Sequence, residues 1–263
     1  MFVVFLGLLL VLGAFVGMMA GLLGIGGGLI VVPSLLFLLP LAGIDPDIAM
    51  HMALATSLAS IIITSGSSAL NHFKLGNVDM FVIKWLMPGV VIGGFLGAHV
   101  AEWIPAAYLP KVFGGIVLML SLQMLFSLKA TQTREMPGHA ATLSTGMGIG
   151  VVSSLAGIGG GSLSVPFLNR HGIEMRKAVG SSSVCGCVLA ISGMLGFILN
   201  GMQAQALPAG SLGYVYLPAL VAIASTSMLT TRFGATLATS MPTTRLKKIF
   251  ALFLMFVAGT MLL

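Results

Sequence analysis

The stretch GLLGIGGGLIVVP, Gly21–Pro33, holds five glycines among thirteen residues and carries no charge. Glycine is a poor helix former because it has the most backbone freedom to lose. A cluster of it between apolar neighbours marks a place where the chain must turn sharply or let something approach closely.

The surrounding composition says where that place lies. Of 263 residues, 57% are hydrophobic and 7% are charged, against roughly 25% charged in an ordinary soluble domain. So few charges cannot cover a soluble fold of this length, and the expectation is an all-α, polytopic membrane protein. The net charge of +6 then reports orientation through the Lys and Arg of the loops, not a nucleic-acid surface. Cys185 and Cys187 lie two apart on a helical stretch, do not face each other and read as small packing residues. The first twenty residues have an apolar core but no basic leader and are expected to stay as a first helix.

Apolar stretches long enough to cross a bilayer, roughly 20 residues, are expected near 2–22, 48–70, 80–103, 106–128, 140–156, 178–200, 214–239 and 246–263. Two shorter apolar arms, 29–42 and 162–169, each follow a glycine cluster. As helices they reach about 20 Å and 12 Å, short of a hydrocarbon core of ~30 Å.

The opening motif occurs twice. GIGGGLIVVP (Gly24–Pro33) returns as GIGGGSLSVP (Gly157–Pro166), ALATSL (Ala53–Leu58) as AVGSSS (Ala178–Ser183), and LGNVD (Leu75–Asp79) as LGYVY (Leu212–Tyr216). The stretch Gly97–Phe113 aligns without gaps to Gly234–Phe250. Two repeats are therefore expected, over residues 1–130 and 138–263, joined by the polar segment Lys129–His139. Duplicated units of this kind are a common architecture of secondary transporters.

If each glycine cluster is the tip of a re-entrant hairpin, each repeat adds three full crossings, and an odd number inverts the second repeat. The charges agree. One face then receives Lys74, Lys129, Arg134, Arg170, Arg176, Lys177, Arg245, Lys247 and Lys248; the other receives Asp45, Asp47, Glu102 and Lys111. The basic face is expected in the cytoplasm, with both termini outside.

Inverted hairpins bring both glycine turns to membrane depth, where irregular backbone survives only inside protein or along a watery cavity. Pro33 and Pro166 suit the first turn of a helix, whose free N–H groups and positive dipole end favour an anion. The candidate substrate-binding residues are Gly24, Gly26, Gly27 and Gly28, with Gly157, Gly159, Gly160 and Gly161. Close helix packing is the other use of such glycines. The repeat-related pairs Thr56–Ser57 and Ser181–Ser182 can donate hydroxyls to an oxyanion or bond their own helix; Ser162 is a further candidate. Arg232, whose repeat partner is Phe95, either meets substrate within the membrane or snorkels to headgroups. Lys84 reads as snorkelling, and His51 and His99 as interfacial residues with the chemistry to relay protons. No Asp or Glu falls in the middle of a span, which argues against a carboxylate proton relay or a hard-cation cage.

The two GxGGG…VP elements, each followed by an A-x-[AG]-[TS]-S helix start, resemble the sulfite exporter TauE/SafE family, also called toluene sulfonate uptake permeases. The LGYVYLPAL stretch and the segment from Gly234 onward are similar to that family too. The resemblance spans essentially the whole chain. It implies a bacterial inner-membrane transporter of small sulfur-containing anions such as sulfite, sulfonates or sulfoacetate, with the lipid bilayer as surroundings and no cofactor. Its site carries over onto the matching glycines and the Thr/Ser pairs; Arg232 rests on the physical reading alone. The alternative is a cation permease or channel whose glycine-loop carbonyls face the ion. An enzyme is not expected, since no Ser–His or paired-carboxylate arrangement is placed at depth.

Overall fold

The computed structural model describes residues 2–23, 27–126, 135–204, 207–240 and 243–262. Within these the chain is almost entirely helical. Its helices are α1 (Phe2–Leu23), α2 (Gly28–Leu38), α3 (Pro46–Lys74), α4 (Met80–Trp103), α5 (Leu109–Leu125), α6 (His139–Leu155), α7 (Gly161–Arg170), α8 (Met175–Gly201), α9 (Leu217–Ser240) and α10 (Thr243–Leu262). Four of them, α1, α3, α4 and α8, are long and apolar enough to cross a membrane by length and composition; α5, α9 and α10 contain shorter apolar segments. The short arms read from the sequence are α2 and α7. At 11 and 10 residues they reach about 16 Å and 15 Å, half of a bilayer core.

One small strand pair interrupts the helices. β1 (Ser211–Leu212) and β2 (Val215–Tyr216) form an antiparallel hairpin, turned at Gly213 with φ +53°. It stands where the sequence shows only the LGYVY half of a repeat.

Helix starts follow local chemistry. Asp45 caps α3 by accepting from the Asp47 N–H at 3.0 Å, with Pro46 in the first turn. Asp79 caps α4 by accepting from the Phe81 N–H at 2.9 Å. The helices α2 and α7 are different: they start at Gly28 and Gly161, five residues ahead of Pro33 and Pro166, which lie inside them. The prolines therefore do not open these helices as expected. The glycines do: a Cβ on Gly28 would overlap the Gly157 carbonyl, and α7 starts directly after Gly160, which is left-handed at φ +69°.

Packing exchanges partners between the two halves of the chain. α1 lies along α9 and α6 lies along α4; α3 packs on α8, and α5 on α10. Both lengthwise pairs are closed by small residues. A Cβ on Gly13 or Gly17 would strike the α9 backbone at Ile223 or Ser227, and one on Gly89 or Gly93 would strike the α6 backbone at Leu143 or Met147. Small residues let membrane helices approach this closely. At the centre, α3 and α8 run antiparallel: Leu58 lies by Gly193, Gly66 by Cys187 and Ser68 by Ser183. The buried core sits around this pair, from Met50 to Ile61 on α3 and from Ala178 to Phe197 on α8.

Candidate substrate site

The chain reverses from α6 into α7 over Ala156–Gly160. Two residues there take the left-handed backbone that glycine adopts without strain: Gly157 at φ +57° and Gly160 at φ +69°. The turn rests on α3 and α8. Ser57 of α3 donates its hydroxyl to the Gly157 carbonyl at 2.8 Å. The same carbonyl lies against Gly28, where a Cβ would overlap it, and the Gly159 carbonyl lies in the same way against Gly186. The start of α2 and the tip before α7 thus touch at Gly28 and Gly157, between the two central helices.

The turn divides its polar groups unevenly. Three of its carbonyls are taken, while those of Ala156 and Ile158 meet no donor among the described residues. That of Gly157 is bonded to Ser57, that of Gly159 abuts Gly186, and that of Gly160 accepts from the Leu163 and Ser164 N–H groups and from the Ser164 hydroxyl. The N–H groups of Gly157 and Ile158 bond back to α6 at Ser154 and Ser153. Those of Gly159, Gly160, Gly161 and Ser162 meet no acceptor among the described residues. Left-handed Gly160 followed by helical Gly161 makes the concave run of N–H groups that suits an anion, at the positive end of α7.

Hydroxyls surround this end. Ser153 is fully buried and, with the half-buried Ser162, offers an Oγ with no hydrogen-bond partner. Ser153 Oγ lies 3.8 Å from where a Cβ on Gly160 would stand. Ser164 and Ser182 bond each other at 2.6 Å, and Ser182 Oγ lies 3.7 Å from the Cβ position of Gly161. Ser65 Oγ lies 3.5 Å from that of Gly159. Many other helix hydroxyls in the chain, such as Thr64, Thr145 and Ser183, bond carbonyls of their own helix, so a buried hydroxyl without a partner is an exception.

Several residues singled out in the sequence meet here: Gly28, Ser57, Gly157, Gly159, Gly160, Gly161, Ser162 and Ser182. Gly27 caps α2 with φ −74°, an ordinary helical value. Gly24 and Gly26 lie outside the described residues, as does the side chain of Arg232, whose backbone belongs to α9. Thr56 and Ser181 hold backbone instead of facing the turn. Thr56 Oγ1 accepts from the Tyr216 N–H at 3.0 Å, and Ser181 Oγ from the Asp79 N–H at 2.8 Å. Each residue of one bond is the repeat partner of a residue in the other. Ser153 was not legible in the sequence because its repeat partner is Ala20, so the duplication does not mark it.

A family model described as sulfite exporter TauE/SafE matches residues 9–261. The chain is 42% identical to a probable membrane transporter protein of Haemophilus influenzae over 98% of both chains. It is 28% identical to the probable membrane transporter protein YunE of Bacillus subtilis, over 81% of this chain and 82% of that one. It is also 28% identical to a probable membrane transporter protein of Methanocaldococcus jannaschii, over 89% of this chain and 86% of that one. No solved structure matches it. The chain is a multi-pass membrane transporter, not an enzyme, and belongs to the sulfite exporter TauE/SafE family.

Proposed function

We propose that this transporter moves small sulfur-containing anions, such as sulfite or short sulfonates, across the bacterial inner membrane through a site at the Gly157–Ser162 turn. One observation carries the reading: four consecutive N–H groups of the turn meet no acceptor among the described residues and two unpartnered hydroxyls stand beside them, while the carbonyls of Gly157, Gly159 and Gly160 are occupied or packed. Donors without acceptors suit an anion. The cation alternative needs several free carbonyls together, and those of Gly157, Gly159 and Gly160 are occupied or packed. A multiply oxygenated anion can meet several donors at once, each such charge-assisted bond being worth about 1.5–3 kcal/mol.

The chain is read as two repeats, over residues 1–130 and 138–263, inverted in the membrane with both termini periplasmic. The antiparallel run of α3 and α8, which are repeat partners, supports inversion. So does the exchange of partners between α1–α9 and α6–α4. Inversion would bring the α2 and α7 starts to one depth from opposite faces.

The experiment is a thermal-shift titration of the purified transporter. A ligand that binds the folded state raises the melting temperature by mass action. Sulfite or a short sulfonate should do so at fixed ionic strength, and Ser153→Ala with Ser162→Ala should weaken the response. A shift that follows the cation and ignores the anion would reverse the reading.

A further inference from the structure

A second polar cluster lies away from the turn, at the end of α3 that carries Asp45 and Asp47. His51 is buried, with 6% exposure. Its Nε2 lies 3.2 Å from the Ala101 carbonyl and 3.9 Å from Glu102 Oε2, both at the end of α4. Its ring stacks on that of Tyr214 in the β1–β2 turn, with centroids 5.1 Å apart. The Tyr214 hydroxyl donates to Glu102 Oε1 at 3.1 Å. Glu102, Tyr214 and the Ala101 and Asp47 carbonyls, the latter one turn back on α3, are the titratable and polar groups that act on the ring, whose buried Nδ1 makes no hydrogen bond. The Glu102 side chain is 40% exposed, whereas that of His51 is 7% exposed.

The hairpin is fastened to α3 at two points. Tyr214 stacks on His51, and the Tyr216 N–H donates to Thr56. Thr56 adjoins Ser57, which holds the Gly157 turn. The Thr56–Tyr216 bond has a repeat counterpart in Ser181–Asp79. The acid–base cluster has none: His51, Glu102 and Tyr214 align with Arg176, Thr239 and Asn77. The packing bond was duplicated, and the titratable trio occurs once.

We propose that His51, Glu102 and Tyr214 form a proton-binding latch that fastens the β1–β2 hairpin to α3 and releases it in acid. With His51 neutral, Nε2–H donates to the Ala101 carbonyl and Glu102 is free to accept from Tyr214. A proton gained by the imidazole places a cation in a buried position, which is unfavourable. At 3.9 Å the carboxylate offsets this only in part, being beyond hydrogen-bond reach. The imidazolium is better placed beside the half-exposed carboxylate. Moving there breaks the ring stack and competes with the Tyr214 hydroxyl for Glu102. The hairpin then loses one of its two fastenings to α3, though it keeps its packing on α8 at Ile198 and Gly201, and the Tyr216–Thr56 bond opens more often. The consequence for transport rests on the reading of the Gly157 turn as the substrate site; the latch itself does not.

Hydrogen–deuterium exchange at the Tyr216 amide reads the latch directly, without substrate, on the full chain in nanodiscs. After correction for intrinsic exchange, its protection should be constant near about pH 8 and fall on acidification toward about pH 5, by roughly tenfold per pH unit once one proton is bound on release. His51→Gln should abolish the pH dependence. Glu102→Gln, which removes the carboxylate beside the ring, should move the fall to lower pH. Protection that does not change with pH in the native chain, or a pH dependence that survives His51→Gln or is unmoved by Glu102→Gln, would overturn the proposal.

Discussion

The Ser57 hydroxyl donates to the Gly157 carbonyl at 2.8 Å, joining two residues one hundred positions apart. It ties α3 to the turn before α7, at the point where Gly28 also meets that carbonyl. Removing the donor leaves a buried carbonyl unpaired, which costs about 1–3 kcal/mol. Ser57→Ala should therefore lower the thermal midpoint of the purified transporter by roughly 2–4 °C per kcal/mol. An unchanged midpoint would show that the bond is replaced or unimportant.

The glycines should separate into two kinds. A Cβ on Gly28 meets rigid backbone at Gly157, whereas one on Gly160 meets only the Leu189 methyl at 3.4 Å and Ser153 Oγ at 3.8 Å. Gly28→Ala should reduce folded protein in the membrane. Gly160→Ala bears the strain of a left-handed residue, about 1–2 kcal/mol, and should still accumulate while losing transport. Quantifying folded protein and flux for both variants checks the order; equal folding yields would contradict it.

Much of this fold was legible in the sequence because membrane crossings leave a long, one-sided signal. The expected spans near 48–70, 80–103 and 178–200 correspond to α3, α4 and α8, and the two short arms to α2 and α7. The helix starts were misplaced at the prolines because intrinsic propensity penalises glycine. Here tertiary contact overrides it: Gly28 must lie against Gly157. The sequence marks the hydroxyl pairs, as donors to an oxyanion or to their own helix, but does not separate their members. Ser57 and Ser182 face the turn, while Thr56 and Ser181 hold Tyr216 and Asp79. Adjacent residues on a helix point about 100° apart, and no pattern in a single sequence says which neighbour each will meet. The contact of His51 with Tyr214 joins α3 to a hairpin more than 150 residues on and leaves no local trace.

The repeat relation makes its own forecast. Thr56→Val and Ser181→Ala each remove the acceptor of one backbone N–H, from Tyr216 and from Asp79. Each should destabilise by about 1–3 kcal/mol, and the double variant should show the sum, since the two bonds share no residue. A strongly non-additive double variant in thermal unfolding would show that the two bonds are coupled.

Inversion is tested by labelling. With Cys185 and Cys187 replaced, single cysteines at Asp47 and Lys177 stand near the first turns of the repeat-related helices α3 and α8. An impermeant thiol reagent outside intact cells should label the first and spare the second. Labelling of both, or of neither until the cells are opened, would contradict inverted halves.

The most direct test of the anion site is flux through the purified transporter. Proteoliposomes carrying it should take up radiolabelled sulfite or a short sulfonate faster than empty vesicles. Ser153→Ala with Ser162→Ala should slow that uptake by about tenfold for each donor lost, at ~1.4 kcal/mol per tenfold, with folded protein unchanged. Cation flux with no protein-dependent movement of any sulfur oxyanion or sulfonate would contradict the account.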